Sequence, residues 1–341
     1  MRAAVFQQRG QALQIEHVAD PTPGPHDLIV RVRACGLCGT DLHLTEPGSA
    51  LPLPVGAILG HELAGDVVAI GSAATSKWRV GDCVAVLPAL CCGDASPCRN
   101  LARRFRCQRM LTLGLGTAPG AYAEYVRVSA SSAHRLPDHV SFRDGALVEP
   151  LAVGRHAVEI AQLAPRSTVL VLGAGPVGLA VLIFARLLGA QHVFVSEKSK
   201  PRRELALRMG ATAVLDPDQP LRSQVQSITG RDPDVIFECV GAPGLLDLAM
   251  AEAAPGSQIV VVGVCQARDS IRPLLGIAKE LRIQFALAYT SADFDQVIDG
   301  LAQGHIDAAP LITDVVDLDG LPAAFEALRV PKHQCKVLVE P

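Results

Sequence analysis

Cys38-Gly39-Thr40-Asp41-Leu42-His43, completed downstream by Gly60-His61-Glu62, brings a thiol, two imidazoles, carboxyl groups and a hydroxyl into one short region. Thiolate, imidazole and carboxylate are ligands that zinc accepts, and three of them with a fourth position left open make a catalytic rather than a structural site. Taken alone, a cysteine such as Cys38 is usually a small buried apolar side chain. The grouping favours metal, because each neighbour has a task in alcohol chemistry. A cation lowers the pKa of a bound water from 15.7 to about 7, and an alcohol should respond alike. The released proton needs an exit. Thr40 can accept it through its hydroxyl and pass it by way of a cofactor ribose to His43, whose reference pKa of about 6.5 suits a shuttle to solvent. Asp41 orients a ligand, accepting from the distal nitrogen of His61. Turn capping and a surface imidazole are the plainer readings of Thr40 and His43.

A further acid, Glu149, stands inside the apolar segment 146–157. An isolated buried charge is very unfavourable, so Glu149 is expected to meet a metal or an Arg or Lys partner.

A second chemistry follows at 168–197. A continuous apolar run ends in Gly173-Ala174-Gly175-Pro176-Val177-Gly178, an apolar helix-like segment follows, and a second strand-like run ends at Glu197. Strand, G-x-G-x-x-G, helix, strand, acid is the dinucleotide-binding fingerprint in its full context. Gly173 permits the tight turn, Gly175 lets a pyrophosphate approach the backbone, and Gly178 allows close helix–strand packing. Amides and dipole at the helix N-terminus favour the phosphates. Pro176, Val177, Gly263 and Val264 are counted with them as cofactor-binding residues. Glu197 accepts from ribose hydroxyls and repels a 2′-phosphate, which favours NAD over NADP. Lys198, Lys200, Arg202 and Arg203 nearby could accommodate that phosphate, or form a solvated helix start.

The elements that must carry these groups fall into two kinds. Before about residue 150, short alternating runs closed by Gly and Pro (30–35, 64–71, 81–86 and 121–128) predict a small β-rich, barrel-like domain. From about 165, apolar runs at 168–172, 191–197, 211–215, 235–238, 258–264 and 282–287 alternate with helix-length segments, as a six-stranded parallel nucleotide fold requires. Helices at 292–303 and 321–328 and a last strand at 336–339 are expected to return to the first domain. The resulting division is a catalytic domain at 1–150, a dinucleotide-binding domain at 151–287, and a second catalytic portion at 288–341.

Composition sets the outer bounds. The 341 residues are 49 % hydrophobic and 19 % charged, with a net charge of −3, which suits a large core and leaves no nucleic-acid footprint. The start, Met1 to Gln7, lacks the apolar core of a signal peptide, so a cytoplasmic location is expected. There, clustered cysteines more often bind metal than pair with each other. The uncharged run from 169 to 185 is interrupted by Gly173, Gly175, Pro176 and Gly178 and is too short to be a convincing membrane span. Cys91, Cys92, Cys98 and Cys107 resemble a structural zinc loop with Cys91 or Asp94 as fourth ligand. Ala95 stands where a regular spacing needs a thiol, so a loop without metal is the alternative.

These motifs together resemble the zinc-dependent medium-chain alcohol dehydrogenases, in the branch of sorbitol, butanediol and threonine dehydrogenases. The resemblance rests on 35–43, Gly60-His61-Glu62-Leu63-Ala64-Gly65, Glu149-Pro150-Leu151-Ala152-Val153 and the Gly173–Gly178 turn, and spans essentially the whole chain. It implies an α/β protein in which a GroES-like β-rich catalytic domain is split by a Rossmann doubly wound parallel sheet. It implies Cys38, His61 and Glu149 as catalytic zinc ligands, with Glu62 ligating or exchanging with water, and Arg202 at the adenosine ribose. It also implies a small alcohol or ketone substrate, and a homodimer or homotetramer formed through edge strands near 282–287. A zinc-free NADPH quinone or enone reductase and a non-catalytic crystallin-like protein are the rival readings. Retention of Cys38, Thr40, His61, Glu62 and Glu149 together counts against both.

Overall fold

The computed structural model describes residues 1–90, 107, 110–330 and 333–341. In chain order its strands are β1 (Arg2–Val5), β2 (Gln14–His17), β3 (Asp27–Gly36), β4 (Glu62–Ile70), β5 (Cys83–Val86), β6 (Ala89–Leu90), β7 (Leu111–Thr112), β8 (Tyr125–Ser129) and β9 (Ala133–Arg135). They continue with β10 (Thr168–Leu172), β11 (His192–Ser196), β12 (Ala213–Leu215), β13 (Val235–Glu238), β14 (Gln258–Val261), β15 (Arg282–Phe285), β16 (Ile312–Asp317) and β17 (Lys336–Glu340). The chain divides into two compact units, Met1–Glu149 with Thr290–Pro341, and Pro150–Tyr289.

In the first unit β16, β17, β3, β4, β5 and β9 lie side by side, and β8 pairs with the outer stretch of β3. β3 is the spine. Its burial alternates through Val30, Val32 and Ala34, as the period-two pattern of the sequence requires. It then becomes continuous at Cys35 and Gly36, where β17 joins it antiparallel through Leu338↔Gly36 and Val339↔Cys35. Val30, Val32, Leu63, Val67, Tyr122, Phe325 and Val337 belong to one buried cluster, so the C-terminal segment is part of this core. The strand expected over 121–128 starts only at Tyr125; the residues before it run beside 58–60, with Tyr122 N donating to Leu59 O and Ala121 N to Gly60 O.

The second unit is a six-stranded parallel sheet in the order β12-β11-β10-β13-β14-β15. The order reverses beside β10, the position where such sheets open a crevice at the carboxyl ends of their strands. β10 and β13 are buried throughout because helices cover both faces of a parallel sheet, which explains why they read as unbroken apolar runs. Among the described residues, no helix is long and apolar enough to cross a membrane.

Candidate metal centre

The ligand groups are set by the junction of β3 and β4. Gly36, at the end of β3, pairs with Glu62, the first residue of β4. A Cβ on Gly36 would lie 1.9 Å from Glu62 Oε2, so the glycine leaves the space that this carboxylate fills across its partner strand. Cys38 then caps the helix Gly39–Thr45 in extended backbone. Gly60 turns the chain into His61 at φ +94°, a conformation that favours glycine. As a result the ligand atoms of Cys38, His61 and Glu62 all fall within 4.8 Å of one another.

His61 is 4 % exposed, and its Nδ1 lies 3.3 Å from Oδ1 of the fully buried Asp41. Neither atom has a well-aligned hydrogen bond. Burial opposes charging of the ring, but Asp41 and the Cys38 sulfur outweigh it and hold the imidazole well above its usual pKa. A thiol, an imidazole and a carboxylate whose ligand atoms converge this closely suit zinc. Asp41, expected to accept from His61, stands beside Nδ1 of that ring. Its Oδ2 accepts from Tyr122 Oη at 2.6 Å and from Cys38 N at 3.4 Å.

Glu62 has a partner that the sequence reading missed. Lys336 Nζ, on β17, donates to Glu62 Oε1 at 2.7 Å, to Oε2 at 2.5 Å and to Leu37 O at 3.0 Å. Burial works against the ammonium, yet Glu62, Cys38 and Glu149 together push its pKa above that of an ordinary lysine. Glu149 is also buried, in the helix Phe142–Ala161, and within electrostatic reach of Lys336. Among the described residues it stands outside the close trio of ligand atoms. Of the two partners foreseen for Glu149, a metal or a basic side chain, the structure brings the basic one, Lys336, within electrostatic reach.

Thr40 and His43 lie half-buried on the helix Gly39–Thr45, with His43 Nδ1 3.4 Å from Glu46 Oε1. Two distant guanidinium groups clamp the end of this helix: Arg9 donates to Leu44 O at 2.8 Å, and Arg329 to Leu42 O at 3.2 Å and Thr45 Oγ1 at 2.8 Å. Nothing local in the sequence marks either arginine. Cys91, Cys92, Cys98 and Asp94 lie outside the described residues; Cys107 is buried.

In the second unit each glycine of the turn has a separate physical reason. Gly173 has φ +98°, Gly175 has open space where a Cβ would stand, and a Cβ on Gly178 would lie 2.0 Å from Gly173 O. Gly175 precedes the helix Pro176–Leu187, with Pro176 in its first turn and Val177 half-buried. Glu197 accepts from Ala174 N at 2.9 Å and Ser199 N at 2.8 Å, which ties the second strand's acid to the turn. Arg202 follows in the helix Lys200–Arg208. Glu238, unanticipated, is 3 % exposed and accepts from Val240 N at 2.7 Å and Gly241 N at 2.8 Å. A Cβ on Gly263 would meet Gly241 N at 2.2 Å, so these loops pack backbone to backbone, and Val264 beside them is exposed.

Comparison with known proteins agrees with both halves. The family described as "Alcohol dehydrogenase GroES-like domain" matches residues 24–138, and "Zinc-binding dehydrogenase" matches 176–303. Sorbitol dehydrogenase of Bacillus subtilis is 32 % identical over 349 aligned positions, covering 100 % of this chain and 97 % of that protein. The chain belongs to the zinc-type medium-chain alcohol and polyol dehydrogenases. Other members are similarly related. The (R,R)-butanediol dehydrogenase of the same organism is 31 % identical with 100 % of each chain covered. A solved alcohol dehydrogenase from E. coli CFT073, complexed with cofactor NADH, has a TM-score of 0.90 at 29 % identity, covering 100 % of this chain and 99 % of that one. Within the family, this member's Cys38, His61 and Glu62 form a candidate catalytic zinc site.

Proposed function

We propose that the chain is a zinc-dependent NAD(H) oxidoreductase that interconverts a secondary alcohol or polyol and its ketone by hydride transfer. The observation that carries this reading is the convergence of Cys38, His61 and Glu62 within 4.8 Å, in a chain that also holds a glycine turn on a parallel sheet. When bound, zinc supplies a Lewis acid that makes a hydroxyl easier to deprotonate, and NAD supplies the hydride acceptor.

The chain's own residues do the rest. Cys38 and His61 hold the metal, and Asp41 keeps the distal nitrogen of His61 as a donor so that the other nitrogen faces the ion. Glu62 ligates directly or stays on Lys336, and Glu149 completes the ligand set. Thr40 accepts the substrate's hydroxyl proton and His43 delivers it to solvent. Backbone amides at the start of the helix Pro176–Leu187, with Pro176, Val177, Gly263 and Val264, bind the dinucleotide. Glu197 and Arg202 address its adenosine ribose, with Glu197 favouring NAD.

A homodimer or homotetramer is part of the proposal. Phe285 on β15 and Leu274 and Ile277 in the helix Pro273–Lys279 are 67 %, 73 % and 75 % exposed, apolar area that a second copy would cover. A cytoplasmic location is supported by the free thiols of Cys35, Cys38, Cys83, Cys239 and Cys265. Oxidation of secondary alcohols, polyols and threonine should be screened with NAD and NADP, and zinc measured on the same sample. Activity with NAD and at least one zinc per chain is expected; a second zinc would mean that the loop of Cys91, Cys92, Cys98 and Cys107 is filled. A zinc-free, fully active preparation would overturn the proposal.

A further inference from the structure

We infer that Tyr122 is a positioning residue for the metal centre, fixing through its hydroxyl and its ring the two groups that aim His61. The inference rests on the zinc reading above and goes beyond its ligand set.

Asp41 is wholly buried, and its two oxygens have different surroundings. Oδ1 faces His61 Nδ1 at 3.3 Å and has no aligned hydrogen bond of its own. Oδ2 is held at 2.6 Å by Tyr122 Oη, with Cys38 N a longer second donor at 3.4 Å. A buried carboxylate that is tied at one oxygen cannot turn freely, so the Tyr122 hydroxyl decides where the other oxygen points. The alternative acceptor for that hydroxyl, Gly36 O, is 3.4 Å away and so the weaker partner.

The ring lies against the residue that leads into the same histidine. A Cβ on Gly60 would lie 2.5 Å from Tyr122 Cδ1, so the ring presses on the backbone directly before His61. Tyr122 N donates to Leu59 O, and Phe325 meets the ring edge-on at 6.4 Å and 78°. One fully buried side chain therefore fixes the backbone that presents His61 and the carboxylate that orients its ring. Outer partners of this kind change metal affinity by roughly 10–100-fold when removed. A phenylalanine would keep the ring packing and delete only the hydroxyl.

The test is zinc transfer from the purified holoenzyme to a chromogenic chelator, comparing the native chain, Tyr122→Phe, Asp41→Asn and the double variant, with unfolding followed on each. Tyr122→Phe is expected to lose zinc roughly 10–100 times faster at nearly unchanged melting temperature. Adding it to Asp41→Asn should have little further effect, because both act through one carboxylate. An unchanged release rate in folded Tyr122→Phe, or effects that multiply in the double variant, would overturn the inference. Should Tyr122→Phe not fold, the buried hydroxyl proton of native Tyr122 serves instead. Its NMR resonance is expected to move when zinc is chelated, and indifference would overturn the inference equally. Absence of zinc from the native chain would instead remove the functional reading itself, so the two failures are distinguishable.

Discussion

Lys336 Nζ lies 2.7 Å from Glu62 Oε1, and both side chains are almost completely buried. The two residues are 274 positions apart, yet β17 joins β3 antiparallel and β3 joins β4, which places them across one strand. Breaking a buried pair by removing one partner leaves an uncompensated charge and costs about 3–5 kcal/mol. Lys336→Met should therefore lower the stability of metal-free protein by that amount in urea titrations. Added zinc should restore part of it, because Glu62 regains a cation. Equal destabilisation with and without zinc would separate Glu62 from the metal.

Cys38→Ser replaces the one thiol of the trio, and a hydroxyl is a far poorer zinc ligand than a thiolate. The variant should fold, since Cys38 caps its helix through backbone geometry. It should lose both zinc and turnover, as metal analysis and a steady-state assay would show. Retention of both would refute Cys38 as a ligand.

His43→Ala should leave zinc in place and slow turnover by roughly a hundredfold, the lower end of what a positioned proton carrier contributes. The pH–rate profile should flatten at the same time. The half-buried position of His43 makes a folding defect an unsuitable explanation, and circular dichroism would check it. A profile of unchanged shape would exclude the relay role.

Gly178→Ala should damage the nucleotide turn. Its Cβ would stand 2.0 Å from the Gly173 carbonyl oxygen, a backbone atom that cannot step aside alone. Overpacking of this kind costs about 1–3 kcal/mol, and NADH binding followed by fluorescence should weaken with it. Gly175→Ala meets no protein atom, so its effect should fall on NADH binding and spare the melting temperature.

Acid stability offers a separate check in the second unit. Hydrogen bonding from Arg222, at 2.7 Å to each oxygen, holds the Asp232 carboxyl below its usual range. A carboxylate with a lower pKa folded than unfolded adds stability that is complete above the unfolded value of about 3.9. That stability disappears as pH falls through the folded value. Arg222→Gln should hence raise the pH midpoint of acid unfolding, while at neutral pH the loss stays below about 1 kcal/mol because the pair is partly exposed. Circular dichroism against pH measures both, and an unmoved acid midpoint would contradict the assignment.

What the sequence determined by itself was whatever depends on short spacing. Gly173, Gly175 and Gly178 announce a turn because three backbone constraints fall within six residues, and the strands β10 and β13 read as unbroken apolar runs because helices cover them on both faces. The donors Cys38, His61 and Glu62 were legible for the same reason, since β3 and β4 are consecutive strands of one sheet. Tertiary structure alone decided who stands behind those donors. Lys336, Tyr122, Arg9 and Arg329 are ordinary residues in their local segments, and each acquires its role only when strand pairing or core packing brings it to a group far away in the chain. Burial makes those partners necessary: a carboxylate such as Glu62 or Asp41, once withdrawn from water, must find its cation or hydrogen-bond donor wherever the fold provides one.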